Sequence, residues 1–190
     1  MLKMRGVSLI ELLIGLAVFG LMIAIGMPSL QTWLQNTQVR SAAESIVNGL
    51  QVARAEAIRK NSQAIFKLTS STGMADWSIL ADDPSVIGIS LTTPVQSWSG
   101  AQAKNARVGT SAQATQNYSN ALAAGAGMPA SVTFDPMGKV VNVGTDITRI
   151  DVTNSADSSS RRLVIIVSPF GQVRMCDPAL SLSTNPQGCA

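Results

Sequence analysis

The chain has 190 residues, 13% of them charged and 4% aromatic, with a formal net charge of +3; that length suits one ordinary domain with an appendage. It contains no histidine, which excludes Ser-His-Asp and Cys-His nucleophile pairs, imidazole bases and zinc sites that need a nitrogen ligand. With two cysteines, a four-thiolate metal site is excluded too, and no metal or cofactor is expected.

The first element is apolar. From Val7 to Leu30 the only charged residue is Glu11, and as a helix this run is about 36 Å long, enough to cross a hydrocarbon core of about 30 Å. Lys3 and Arg5 precede it and no basic residue follows until Arg40. The positive-inside rule therefore predicts a single membrane pass, with the N-terminus cytoplasmic and the rest exported. A secretory signal peptide would have a shorter apolar core, and a plain anchor does not account for a carboxylate that costs up to about 2.5–3.5 kcal/mol at a membrane-helix centre, less near the interface.

The segment Arg5-Gly6-Val7-Ser8-Leu9-Ile10-Glu11-Leu12-Leu13 resembles the class III signal of type IV pilins and type II secretion pseudopilins. That signal is a short basic leader ending in glycine, then a hydrophobic helix with glutamate fifth. The resemblance implies that a prepilin peptidase cuts between Gly6 and Val7 and methylates the new amino group of Val7, where family members usually carry phenylalanine. It also implies that Glu11 pairs with the free amine of a neighbouring subunit in a filament, neutralising two charges at once. Gly20 and Pro28 match positions between which family helices loosen on assembly; glycine weakens a helix and proline deletes a hydrogen bond, though a bent but intact helix fits equally well.

Beyond Pro28, apolar residues from Leu30 through Leu34, Val39, Ala43, Ile46, Leu50 and Ala53 to Ala57 recur mostly every three to four positions, so one helix is predicted from Ser8 to Arg59, ended by Asn61 and Ser62. Short runs rich in β-branched residues follow. Strands are expected at 64–69, 77–81, 87–92, 131–134, 139–143, 149–153, 162–167 and 172–175, with hairpin turns at Asp135-Pro136-Met137-Gly138 and Ser168-Pro169-Phe170-Gly171. Residues 97–129 read as a surface loop or insertion. The predicted organisation is a leader at 1–6, a transmembrane and assembly helix at 7–30, an amphipathic helix at 31–62 and a β-rich head at 63–190. The fold class is α+β, a long N-terminal helix packed on antiparallel sheet. Arg40 to Ala57, the pair Phe134 and Gly138, and Gly171-Gln172-Val173-Arg174 resemble the GspH and FimT-like branch of the family.

In an exported head, Cys176 and Cys189 most simply form one disulfide that pins the tail; their spacing is not that of a redox-active Cys-x-x-Cys pair. Arg161, Arg162 and Arg174 face Asp177 as the one acid of the last 30 residues. Some FimT-like minor pilins bind DNA through a late Gly-Arg-x-Arg motif. Gln172 replaces its first arginine here, leaving Arg174 with Arg161 and Arg162 as candidate phosphate contacts. Removing Lys3 and Arg5 leaves 12 basic against 11 acidic side chains, so global charge adds no support. An enzyme is not expected. Asp82-Asp83 before Pro84 reads as a turn, and neither a Gly-x-Ser-x-Gly elbow nor a phosphate-binding glycine loop is present. The sequence thus predicts a structural filament subunit of a type IV pilus or type II secretion machine, partnered by a prepilin peptidase, other pilins or pseudopilins and the inner membrane, with DNA as the alternative partner.

Overall fold

The computed structural model describes residues 7–82, 94–113, 117–157 and 160–189. Helix α1 runs from Leu9 to Lys60. Ser8 caps its start: the Glu11 amide donates to Ser8 Oγ at 3.3 Å, so Glu11 occupies the third helical position, where a carboxylate also favours the positive end of the helix dipole. The helix ends through Asn61, whose φ of 49° is left-handed; the Ser62 amide donates to the Ala57 carbonyl at 3.1 Å and the Asn61 amide to Ile58 at 3.2 Å, which satisfies the last carbonyls. Helical assignment is unbroken across Gly20 and Pro28.

The chain divides into two units at Leu34/Gln35. In the first, every side chain described from Val7 to Leu34 is exposed, and this part of α1 is long and apolar enough to cross a membrane.

In the second, α1 buries Val39, Ala42, Ala43, Ile46, Leu50, Ala53 and Ala57 along one stripe. Small residues there let the sheets come close. At Gly49 a Cβ would lie 2.8 Å from the Phe66 ring and 3.1 Å from Trp77; those two rings sit 5.7 Å apart, and the Trp77 indole donates to Ser45 Oγ at 2.9 Å. Among the described residues eight strands follow: β1 (Ala64–Leu68), β2 (Trp77–Ala81), β3 (Pro94–Trp98), β4 (Ala106–Ser111), β5 (Ala130–Phe134), β6 (Arg149–Asn154), β7 (Leu163–Val167) and β8 (Val173–Cys176). They form two antiparallel four-stranded sheets, ordered β3-β2-β1-β5 and β4-β6-β7-β8. Alternate residues such as Phe66, Ile79, Val108, Val132, Ile150, Val152 and Ile165 join the helix stripe in one core, as period-two strands with one wet face require.

Two expectations are corrected. Residues 97–129 are not a loop: they contain the end of β3, a 3-10 turn at Gly100–Ala103 and all of β4. Strand β4 faces the core with Ala106, Val108 and Thr110, too small and polar a set to stand out, and β3 is an edge strand exposed along nearly its whole length. Residues 139–143 form no strand beyond an isolated bridge between Phe134 and Val140. The outer edge of β5 is capped instead by single bonds: the Val141 amide to Thr133 O (2.9 Å), the Ile147 amide to Ser131 O (3.0 Å) and the Thr133 amide to the Asp146 carboxylate (2.8 Å). The strand expected at 87–92, and Asp83 and Pro84 of the expected turn, lie outside the described residues.

Both Pro-x-Gly turns form with the same geometry. Gly138 (φ 75°) and Gly171 (φ 73°) are left-handed, and the amide of each glycine donates to the carbonyl three residues earlier, at 2.8 and 2.9 Å. The Asp135 carboxylate and Ser168 hydroxyl each accept the amide four residues on, at 2.8 and 3.1 Å. The second turn joins β7 to β8, while the first leads from β5 into the capping segment.

Candidate functional site

The apolar half of α1 is built for contact outside the chain. Leu9, Ile10, Leu12, Leu13, Ile14 and Leu16 are all more than half exposed, and the Glu11 carboxylate between them meets no partner among the described residues. Val7 is exposed at the start of the described chain, and Gly6 lies outside the described residues. Nothing touches the place of a Cβ at Gly20, and Pro28 lies within the helix.

The arginines at the other end of the chain are spread over separate partners. Asp151, fully buried on β6, holds Arg149 through Nε at 2.6 Å and Nη2 at 2.8 Å, and Arg162 through Nη1 at 2.6 Å. Sequence reasoning missed this cluster. Arg149 is 3% exposed and donates onward to the carbonyls of Asn117 (2.7 Å) and Asn120 (2.6 Å), while Arg162 reaches that of Tyr118 at 2.5 Å. Asp151 also accepts the Leu122 amide at 3.0 Å, and the Arg149 guanidinium stands 5.2 Å from the centre of the Tyr118 ring. Buried charges in a low dielectric are stable only when paired and fully hydrogen-bonded, and here the pairing fastens the segment 117–122 over the outer face of the second sheet. Gly109 lets that segment lie close, since a Cβ there would collide with the Ala123 carbonyl oxygen.

Arg161 bonds Asp177 at 2.5 Å, and Arg174 donates to the Gly188 carbonyl. Both contacts belong to the C-terminal loop closed by the Cys176–Cys189 disulfide, which spans 13 positions and packs with Val164, Ile166 and Tyr118. Of the three arginines expected to contact phosphate, Arg162 is committed to the buried cluster, and Arg161 holds the tail while its side chain stays half exposed. Arg174 instead lines a groove with Arg54 from α1. Among the described residues no group of acids and cysteines is arranged to hold a metal ion.

A family model described as Type II transport protein GspH matches residues 42–171, more than half of the chain. The chain belongs to the GspH family. The match starts past the apolar half of α1 and stops before both cysteines, so the second half of α1 and the head carry it, with Arg149, Asp151, Arg162 and both turns inside. The crystal structure of the type IV minor pilin FimU of Pseudomonas aeruginosa superposes with a TM-score of 0.53 at 19% identity, covering 83% of this chain and 99% of that one; the likeness is one of fold. The minor pseudopilin EpsH of the type 2 secretion system of Vibrio cholerae aligns over 75% of this chain and 99% of its own, with a TM-score of 0.49 at 10% identity. No curated protein sequence matches the chain. Members of the GspH family are structural pilin and pseudopilin subunits, so this chain is a pilin-like subunit of α+β fold, with one long helix on antiparallel sheets.

Proposed function

We propose that this GspH-family chain is a minor subunit of a type IV pilus or type II secretion filament. A prepilin peptidase cuts it between Gly6 and Val7 and methylates Val7. It waits in the inner membrane with its N-terminus cytoplasmic and its head in the periplasm, then enters the filament helix first. The carrying observation is the apolar half of α1, whose described side chains from Val7 to Leu34 are exposed, with one carboxylate, Glu11, that has no partner among the described residues. In lipid the apolar side chains are satisfied and the carboxylate is not; in a bundle of such helices the amine of a neighbouring Val7 neutralises it.

N-terminal sequencing of the mature protein tests the processing step, with Val7 expected first and Met1 refuting it. Glu11→Ala tests the pairing. The variant should be cut normally but recovered with the filament at a small fraction of the parent level, and normal recovery refutes the mechanism.

A further inference from the structure

The groove between the last turns of α1 and the β7–β8 turn holds about 460 Å³ and is lined by Gln51, Arg54, Ile58, Gln172 and Arg174 among others, with no carboxylate among the described residues. Among the described residues each guanidinium spends one hydrogen bond inside the fold, Arg54 Nε on the Gly138 carbonyl at 2.9 Å and Arg174 on the Gly188 carbonyl, which leaves its other N–H donors for the groove. The rim is apolar. The two Pro-x-Gly turns abut, since a Cβ at Gly171 would collide with the Gly138 carbonyl, and a Cβ at Gly138 would lie 3.0 Å from Ile58. Each turn presents the residue before its glycine to solvent. Met137 is 74% exposed, Phe170 70% and Ile58 50%, which is unusual for such side chains on turns this well fixed.

We infer that this groove docks a carboxylate-bearing segment flanked by apolar side chains, from the head of a neighbouring and different filament subunit. Charge complementarity favours this occupant: among the described residues two guanidiniums and no acid line the groove, so a carboxylate is drawn in, and exposed Met137, Phe170 and Ile58 offer apolar contact to its flanks. The inference rests on the filament reading above, and it gives Arg54, 120 residues before Arg174, a part that no linear motif assigns.

The test uses the full chain in cells that assemble the filament, with a photoreactive benzophenone amino acid at position 170 and, as control, at exposed Ser155 beyond the far end of β6. Light should join position 170, and not 155, to a head peptide of another subunit that contains Asp or Glu. Gln172→Glu should lower the yield about tenfold, whereas Gln172→Arg should not lower it; Met137→Ser is a second variant that should also lower it. An intact disulfide on a non-reducing gel controls for folding. An undiminished yield with Gln172→Glu, an adduct to a second copy of this chain, an adduct destroyed by nuclease, or no adduct while the chain is in the filament fraction each overturns the docking surface and leaves the filament reading standing. A chain absent from that fraction overturns both.

Discussion

Replacing Asp151 by asparagine keeps the shape of the side chain and removes the one negative charge between two guanidiniums. Arg149 is left almost wholly buried and Arg162 mostly so, with side-chain exposures of 3% and 16%. An asparagine amide can accept on one oxygen, whereas the carboxylate receives Arg149 Nε on Oδ1 and Arg149 Nη2, Arg162 Nη1 and the Leu122 amide on Oδ2. Removing one member of a buried ion pair costs about 3–5 kcal/mol, and in a domain of this size each kcal/mol lowers the midpoint by about 2–4 °C, so thermal unfolding should shift down by roughly 6–20 °C. Circular dichroism of the full chain in mild detergent measures this, with limited proteolysis to detect release of residues 117–122. Arg40→Ala is the contrast: its pair with Glu44 has side chains 68% and 52% exposed, so its loss should cost no more than about 0.5 kcal/mol. If Asp151→Asn moves the midpoint no further than Arg40→Ala does, the cluster is hydrated and the argument from burial fails.

Three further outcomes follow from the same geometry. Cys176→Ser should cost on the order of 3 kcal/mol by the loop-entropy account, and cleavage by a broad protease should become faster after residue 176 than in the rest of the head. Gly171→Ala combines a left-handed φ of 73° with collision against the Gly138 carbonyl, so it should destabilise by more than about 1 kcal/mol, visible as a lower urea midpoint; an unchanged midpoint refutes the abutting of the turns. For DNA, a mobility-shift assay at two salt concentrations should give Arg161→Ala and Arg162→Ala no specific loss, because both side chains are held by carboxylates; a drop in the salt slope with either variant contradicts that placement.

The parts of the fold visible in the sequence are those whose causes are local. Ser8 and Asn61 bracket α1 because a cap needs only a hydroxyl at the right offset and a residue that tolerates left-handed φ. The two Pro-x-Gly turns carry their conformation in four residues each. Strand β4 does not: Ala106, Val108 and Thr110 are inward because β6, more than 40 residues later, pairs with them in register, Ala106 against Asn154 and Ser111 against Arg149. Residues 139–143 have β-branched composition, yet the Asp146 carboxylate takes the Thr133 amide that a continuing ladder would have used. Composition speaks for a strand there and hydrogen-bond competition decides against it.

Charge was the least legible quantity, because its meaning depends on which residues face each other across a sheet. Counted along the last 30 residues, Arg161 and Arg162 stand opposite one acid, Asp177, and read as an open basic tail. The β6–β7 pairing sets Asp151 opposite Val164, which brings Arg162 diagonally within 2.6 Å of a carboxylate that precedes the counted window. Arg149, on the same outer face two residues before Asp151, completes the cluster. With these charges holding the 117–122 segment, and Arg161 holding the tail, Arg54 and Arg174 are the guanidiniums that line the groove beside the two turns. A partner that reads charge here meets a guanidinium pair contributed by a helix and a strand 120 residues apart. Its spacing is fixed by the fold, and a carboxylate placed between turns that offer Met137 and Phe170 fits it better than a linear motif could have indicated.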